Sequence, residues 1–212
     1  MCIVLVTRTK KYSIILSNRD EFLARPTLRA NWWPAPNSHV LSGRDLARST
    51  HGTWLGITRQ GRIVALTNYR ETTEAAANAA AISRGEITNE FLLSEKPFEE
   101  WIQEVLKSGV YRNVGGFSLM CGILRRETKG YAVVSNRSCL ESGGADYILS
   151  TEDGYEFEGL SNSLLHVDWP KVKMGKELLR KLVSEDIQDE EKFIEKCFEL
   201  LSYFVPFKNG NN

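Results

Sequence analysis

The chain has 212 residues, a length at which one globular domain can bury a full hydrophobic core. Hydrophobic residues make up 42% and charged residues 25%, and 27 Lys plus Arg balance 27 Asp plus Glu. A balanced charge gives no support to a general nucleic-acid-binding or membrane-surface role, and no stretch approaches the roughly 18 apolar residues that span a bilayer.

In chain order, Cys2 to Val6 is a short apolar run that predicts a strand buried on both faces. Tyr12 to Leu16 predicts its hairpin partner, ending at Ser17-Asn18-Arg19-Asp20-Glu21. Arg25-Pro26 forces a loop, because the residue before proline is pushed out of the helical region. Residues 27–52 hold Pro34, Pro36, Gly43 and Gly52, show no period and read as a long ordered loop. A second hairpin pairs Thr53 to Thr58 with Arg62 to Asn68 around Arg59-Gln60-Gly61.

Alanine-rich Glu74 to Ala81 favours helix, followed by amphipathic helices over Ile87 to Leu93 and Phe98 to Leu106. Pro97 at the start of the last of these and Gly109 just past its end mark its limits. A third hairpin joins Phe117 to Leu124 with Tyr131 to Asn136, and Tyr147 to Ser150 and Phe157 to Leu160 read as short strands. The C-terminal part switches to helical period, with one stripe of Met174, Leu178, Leu179, Leu182 and Val183 and another of Phe193, Ile194, Cys197, Phe198 and Leu201. Antiparallel hairpins with helices in two separate blocks predict an α+β fold, with 1–212 as a single domain.

The four cysteines, Cys2, Cys121, Cys139 and Cys197, form no Cys-x-x-Cys pair, so no metal site is expected and reduced thiols in a cytosol-like compartment are. Asn136-Arg137-Ser138 is a glycosylation sequon by pattern, relevant only to a secreted protein. The run Ile3 to Val6 is too short for a signal peptide, and no matrix-targeting segment is expected.

Cys2 is the first chemical candidate. If Met1 is removed, one residue carries both a thiol and an α-amino group able to take the thiol proton, which makes it nucleophile and base together. Taken alone, a buried strand cysteine without a role is the simpler reading. The Asn18-Arg19-Asp20-Glu21 segment alters that balance, because a tight hairpin brings it beside the N-terminus. Arg19 could then favour a thiolate or bind a carboxylate, and Asp20 could orient the amine; a salt-bridged turn is the alternative. Asn68 and Asn162 offer amide N–H groups able to polarise a carbonyl, or else simply supply turn geometry.

A Met-Cys start with Asn-Arg-Asp-Glu at residues 18–21 resembles the family named for transport and Golgi organisation, also known by that Asn-Arg-Asp-Glu motif. The resemblance continues through Leu41-Ser42-Gly43-Arg44-Asp45, Gly52-Thr53-Trp54-Leu55-Gly56, Leu66-Thr67-Asn68, Ser83-Arg84-Gly85-Glu86, Gly159-Leu160-Ser161-Asn162 and Trp169-Pro170-Lys171-Val172. It implies a four-layer αββα sandwich of antiparallel sheets, like that of the N-terminal-nucleophile cysteine hydrolases. It further implies a catalytic set of Cys2, Arg19, Asp20, Asn68 and Asn162 acting on amides with a hydrophobic portion. Family members usually continue into a segment with an Arg-Thr motif, whereas Arg180 is the last arginine here, so strands that complete the sheets could be missing.

The family is associated with haem mobilisation and with lipid or acyl-coenzyme A homeostasis, in cytoplasmic, mitochondrial and Golgi-associated settings. The implied ligand is therefore small, hydrophobic and anionic, with no nucleic acid and no integral membrane segment. Arg19, Trp32, Trp33, Arg44, Asn68, Tyr69 and Arg70 are its candidate contacts, Trp32-Trp33 as a pocket rim in the polar loop. Trp54 and Trp101 are expected in the core, and the only histidines, His39, His51 and His166, carry no haem-binding pattern. A binding factor, a Cys2 amidohydrolase and an interaction protein of membrane trafficking are the three functional expectations.

Overall fold

The computed structural model describes residues 2–71, 83–112, 114–124, 130–138, 145–149 and 157–204. The expected helix over 74–81, Cys139 and Ser150 lie outside the described residues.

The first hairpin forms as its apolar runs predict. Strands β1 (Ile3–Arg8) and β2 (Ser13–Asn18) pair antiparallel, and the Thr9 hydroxyl accepts the Tyr12 N–H at 2.8 Å to close the turn. The short strand β10 (Glu158–Leu160) pairs with the other side of β1, giving a three-stranded sheet with β1 in the middle. A seven-stranded antiparallel sheet runs in chain order through β3 (Thr27–Trp32), β4 (Val40–Asp45), β5 (Leu55–Thr58), β6 (Arg62–Asn68), β7 (Phe117–Ile123), β8 (Gly130–Ser135) and β9 (Asp146–Leu149).

Four described helices cover these sheets. Helix α1 (Arg84–Leu93) starts at Ser83, whose hydroxyl caps the Gly85 N–H. Helix α2 (Phe98–Ser108) stops at Gly109, whose φ of 66° is the left-handed value that glycine adopts without strain. Helix α3 (Pro170–Ser184) begins on a proline, where a missing N–H costs nothing, and α4 (Glu190–Leu201) is capped by Asp189.

Strand alternation sorts the apolar residues into three cores. Val4, Val6 and Leu160 meet Ile63, Ala65, Met120 and Val133 between the sheets. Leu5 and Ile14, on the opposite face of the small sheet, pack on Leu179 of α3 and on Phe193 of α4. Val64, Leu66, Phe117 and Leu119, on the outer face of the large sheet, pack on Ile87 and Phe91 of α1 and on Trp101 and Ile102 of α2. The layers therefore run helix, sheet, sheet, helix, the αββα order that the resemblance implies.

The expected loop over 27–52 is corrected, since β3 and β4 occupy much of it. All of β3 is exposed, so its residues carry no apolar alternation, and Gly43 in β4 lies against the Trp54 ring, which a larger side chain would crowd. An edge strand exposed on both faces leaves no hydrophobic period to read. The sequon asparagine is also accounted for. Asn136 is buried, its carbonyl oxygen accepting the Phe117 N–H and its amide donating to the Tyr111 and Val114 carbonyls, so it is spent on structure. No helix among the described residues is long and apolar enough to cross a membrane.

The backbones of Gly52 and Gly85 touch, and a Cβ built on Gly52 would lie 2.7 Å from the Gly85 Cα. This contact seats the start of α1 against the loop after β4. Gly52→Ala is expected to destabilise the fold by about 1–3 kcal/mol, because neither partner is a side chain that can swing aside. Urea denaturation measures it, and an unchanged midpoint would mean that the two backbones separate freely.

Candidate functional site

Strand register brings the expected site residues together. β1 and β2 pair Ile3 with Asn18, so one further step sets Cys2 opposite Arg19. β1 and β10 pair Val4 with Leu160, so two further steps set Cys2 opposite Asn162. Alternation also fixes the direction of the thiol. Cys2 has the parity of Val4 and Val6, whose side chains face the large sheet. Two donors hold its carbonyl oxygen, the Ser161 hydroxyl at 2.8 Å and Lys171 Nζ, from the first turn of α3, at 2.9 Å.

Cys2, Arg19, Asp20 and Asn68 all line one cavity of about 260 Å³ at this end of the sheets. Its wall also includes Glu21, Arg25, Asp45, Arg48, Trp54, Leu66 and the Ser83-Arg84-Gly85 start of α1. The Arg19 guanidinium lies over the Trp54 ring, 4.2 Å from its centroid, and stands 3.4 Å from Glu21 and 3.6 Å from Asp45. Arg25 donates to Asp45 at 2.7 Å and stands 3.7 Å from Glu21. Two carboxylates thus hold two guanidiniums, and the Trp54 ring faces one of the cations.

Asn162 does not line this cavity. Its amide donates to the Asn68 carbonyl at 2.7 Å, and its own carbonyl accepts the Arg70 N–H at 2.9 Å. It fastens the end of β10 to the end of β6, joining the two sheets beside Cys2. One Nδ2 hydrogen of Asn162 is committed to this tie.

The remaining candidate contacts do not converge on Cys2. Trp33 is 5% exposed, donates its indole N–H to Ser42 at 2.8 Å and joins the core under α1 and α2. Trp32 is exposed, with Arg59 stacked on it at 3.9 Å. The adjacent tryptophans point to opposite faces of an edge strand and so cannot rim one pocket. Arg44 stacks on Trp33 and donates to the His51 carbonyl, Arg70 lies 5.9 Å from the Trp169 ring centroid, and the Tyr69 N–H bonds the Gly116 carbonyl. Trp54, expected in the core, is instead part of the cavity wall, whereas Trp101 is buried as expected.

Glu21, Asp45, Trp54, Arg84 and Gly85 were not singled out from their chemistry, yet all sit inside the motif segments quoted above. Segments 18–21, 41–45, 52–56, 66–68 and 83–86 each contribute to the same cavity. Lys171 lies in another such segment, and Arg25 and Arg48 carry no local signal at all.

Burial pushes the Cys2 thiol pKa above its ordinary value, positive charges including Arg19 and Lys171 draw it back, and Glu21 adds to the rise. In the chain that keeps Met1, alkylation of Cys2 by iodoacetamide should therefore have its midpoint above the ordinary thiol value of about 8.5. Arg19→Gln should raise the midpoint further, since a charge favouring the thiolate is removed. Peptide mass mapping across pH measures both, and a midpoint below the ordinary value would contradict this account.

A second cavity, of about 380 Å³, lies between the small sheet and helices α3 and α4. Ile3, Leu5, Met174, Leu178, Leu200 and Leu201 make most of its wall apolar, and Arg19 and Asp20 line both cavities.

Comparison with known proteins agrees with this architecture. An uncharacterized protein of Saccharomyces cerevisiae is 33% identical over 95% of this chain and 69% of its own length. The Transport and Golgi organization protein 2 homologs of Bos taurus and Homo sapiens are each 34% identical over 86% of this chain, which spans 64% of their length. Among solved structures, the Caenorhabditis elegans ortholog of N-acylethanolamine-hydrolyzing acid amidase superposes with a TM-score of 0.60 at 12% identity, covering 98% of this chain and 88% of its own. That similarity gives the chain the fold of an N-terminal-nucleophile hydrolase. The family model described as Transport and Golgi organisation 2 matches residues 1–209, and the chain belongs to that family.

Proposed function

We propose that this chain binds an amphiphilic acyl conjugate, with acyl-coenzyme A as the ligand class. Its apolar part would occupy the groove under α3 and α4, and its polar, anionic part the arginine-lined cavity. The observation that carries this reading is the junction of an apolar and a charged cavity at Arg19 and Asp20, beside Cys2. The charged cavity alone falls below the roughly 300–1,000 Å³ range of ligand sites, whereas the two joined lie near its middle. A haem is a rigid disc, and His39, His51 and His166 line neither cavity, so the pair fits a bent, flexible acyl ligand better.

Titration of the pure protein with palmitoyl-coenzyme A should saturate, and Arg19→Gln should weaken binding by about tenfold, the effect of roughly 1.4 kcal/mol. Equal binding by the variant, or preferential saturable binding of haem, would overturn this assignment.

The placement of Cys2 in this fold favours a second reading, thiol amidohydrolysis. With Met1 removed, the α-amino group would take the thiol proton, sulfur would attack the acyl carbonyl, and the leaving amine would depart with that proton. Water would then hydrolyse the thioester and release the fatty acid. Intact-mass measurement decides whether the amine exists. In a processed chain, N-acyl amides should be cleaved, and Cys2→Ser should lower kcat by at least about a hundredfold. A retained Met1, or turnover unaffected by Cys2→Ser, would remove this reading.

A further inference from the structure

We propose that Arg48 and Arg84 form an anion-binding subsite that grips an oxyacid group, phosphate or carboxylate, on the polar part of the ligand. This deepens the reading above by naming the group that the charged cavity recognises.

Four arginines line the cavity against three carboxylates, Asp20, Glu21 and Asp45, and Asp20 is itself engaged. Glu21 and Asp45 are taken up by Arg19 and Arg25. Nearby Glu71 is held by Arg137 and by the Gly116 N–H at 2.8 Å. Among the described residues, neither Arg48 nor Arg84 is in an ion pair, although both line the cavity. Among the described residues Arg84 donates one N–H, to the Gly116 carbonyl at 3.2 Å, of the five that a guanidinium carries.

The fold forces these cations together. Arg48 sits on the loop after β4, and Arg84 is the first residue of α1. The contact between Gly52 and Gly85 clamps that loop onto the helix start, and both arginines line the same cavity. Burial lowers the pKa of Arg84, the charge of Arg48 lowers it further, and Glu71 and Glu21 draw it partly back. An anion between them removes the like-charge repulsion and replaces solvent lost to the partly buried guanidinium. Forked guanidiniums match the paired oxygens of carboxylate and phosphate, and the positive end of α1 adds to the same field.

The test uses the whole chain with inorganic phosphate and succinate as separate probes, followed by calorimetry and by protection of arginines from phenylglyoxal. One probe should bind saturably, protect Arg48 and Arg84 from modification, and weaken as salt rises. Whichever of the two binds identifies the oxyacid. Arg48→Gln, at an exposed position that folding does not need, should weaken binding by about tenfold, the effect of one charge-assisted hydrogen bond. Arg84→Lys keeps a charge and should lose less than Arg84→Gln, while Arg29→Gln, on the exposed edge strand, should bind as the parent does.

No saturable binding of either probe, or equal binding by Arg48→Gln, would overturn the subsite. Palmitoyl-coenzyme A separates the two proposals. Probe binding without acyl-coenzyme A binding sinks the acyl reading and leaves the subsite. Acyl-coenzyme A binding indifferent to both arginine variants sinks the subsite and leaves the acyl reading.

Discussion

The arrangement depends on β1 being the middle strand of a small sheet that is covered on both faces. A strand hydrogen-bonded on both edges and buried on both faces has almost no freedom to shift register. Val4 and Val6 are committed to the gap between the sheets and Leu5 to the helices, so the position of Cys2 follows from the strand behind it. The Ser161 hydroxyl and Lys171 ammonium then grip the Cys2 carbonyl from β10 and α3. Two side chains from distant segments thereby tie Cys2 to the rest of the fold.

The same strand organises the charges. Its partner β2 runs two residues past its apolar stretch to Asn18, and the three residues that follow, Arg19, Asp20 and Glu21, line the cavity. Large and small sheets are then fastened at this end by the Asn162 amide on the Asn68 carbonyl. Charged groups collect at the rim of two packed sheets, and the apolar groove under α3 and α4 shares Arg19 and Asp20 with their cavity. A polar chamber and an apolar groove therefore share a wall.

Fold and site differ in how much of each was legible. The hairpins of β1–β2, β5–β6 and β7–β8 and helices α2, α3 and α4 follow from apolar period and turn residues, because each buries one face or both. β3 and β4 were hidden, since an exposed edge strand and a glycine-bearing neighbour have no such period. Cys2, Arg19, Asp20 and Asn68 were identifiable as chemistry and do share one cavity. Trp33 and Trp54 exchanged their expected places. Composition says that an indole seeks burial, but only the pleat decides which of two neighbours faces the core.

The sequence by itself determined the family, the α+β class and the strand that would carry Cys2, because these rest on local order along the chain: motif spacing, alternation and helix period. Tertiary structure alone decided that segments around residues 20, 45, 52, 68 and 84 close on one cavity, and that Arg48 and Arg84 enter it without an ion pair among the described residues. Those facts depend on the pairing of distant strands and on two glycine backbones in contact. Such long-range geometry is set by packing and leaves no periodic trace in the residues that it brings together.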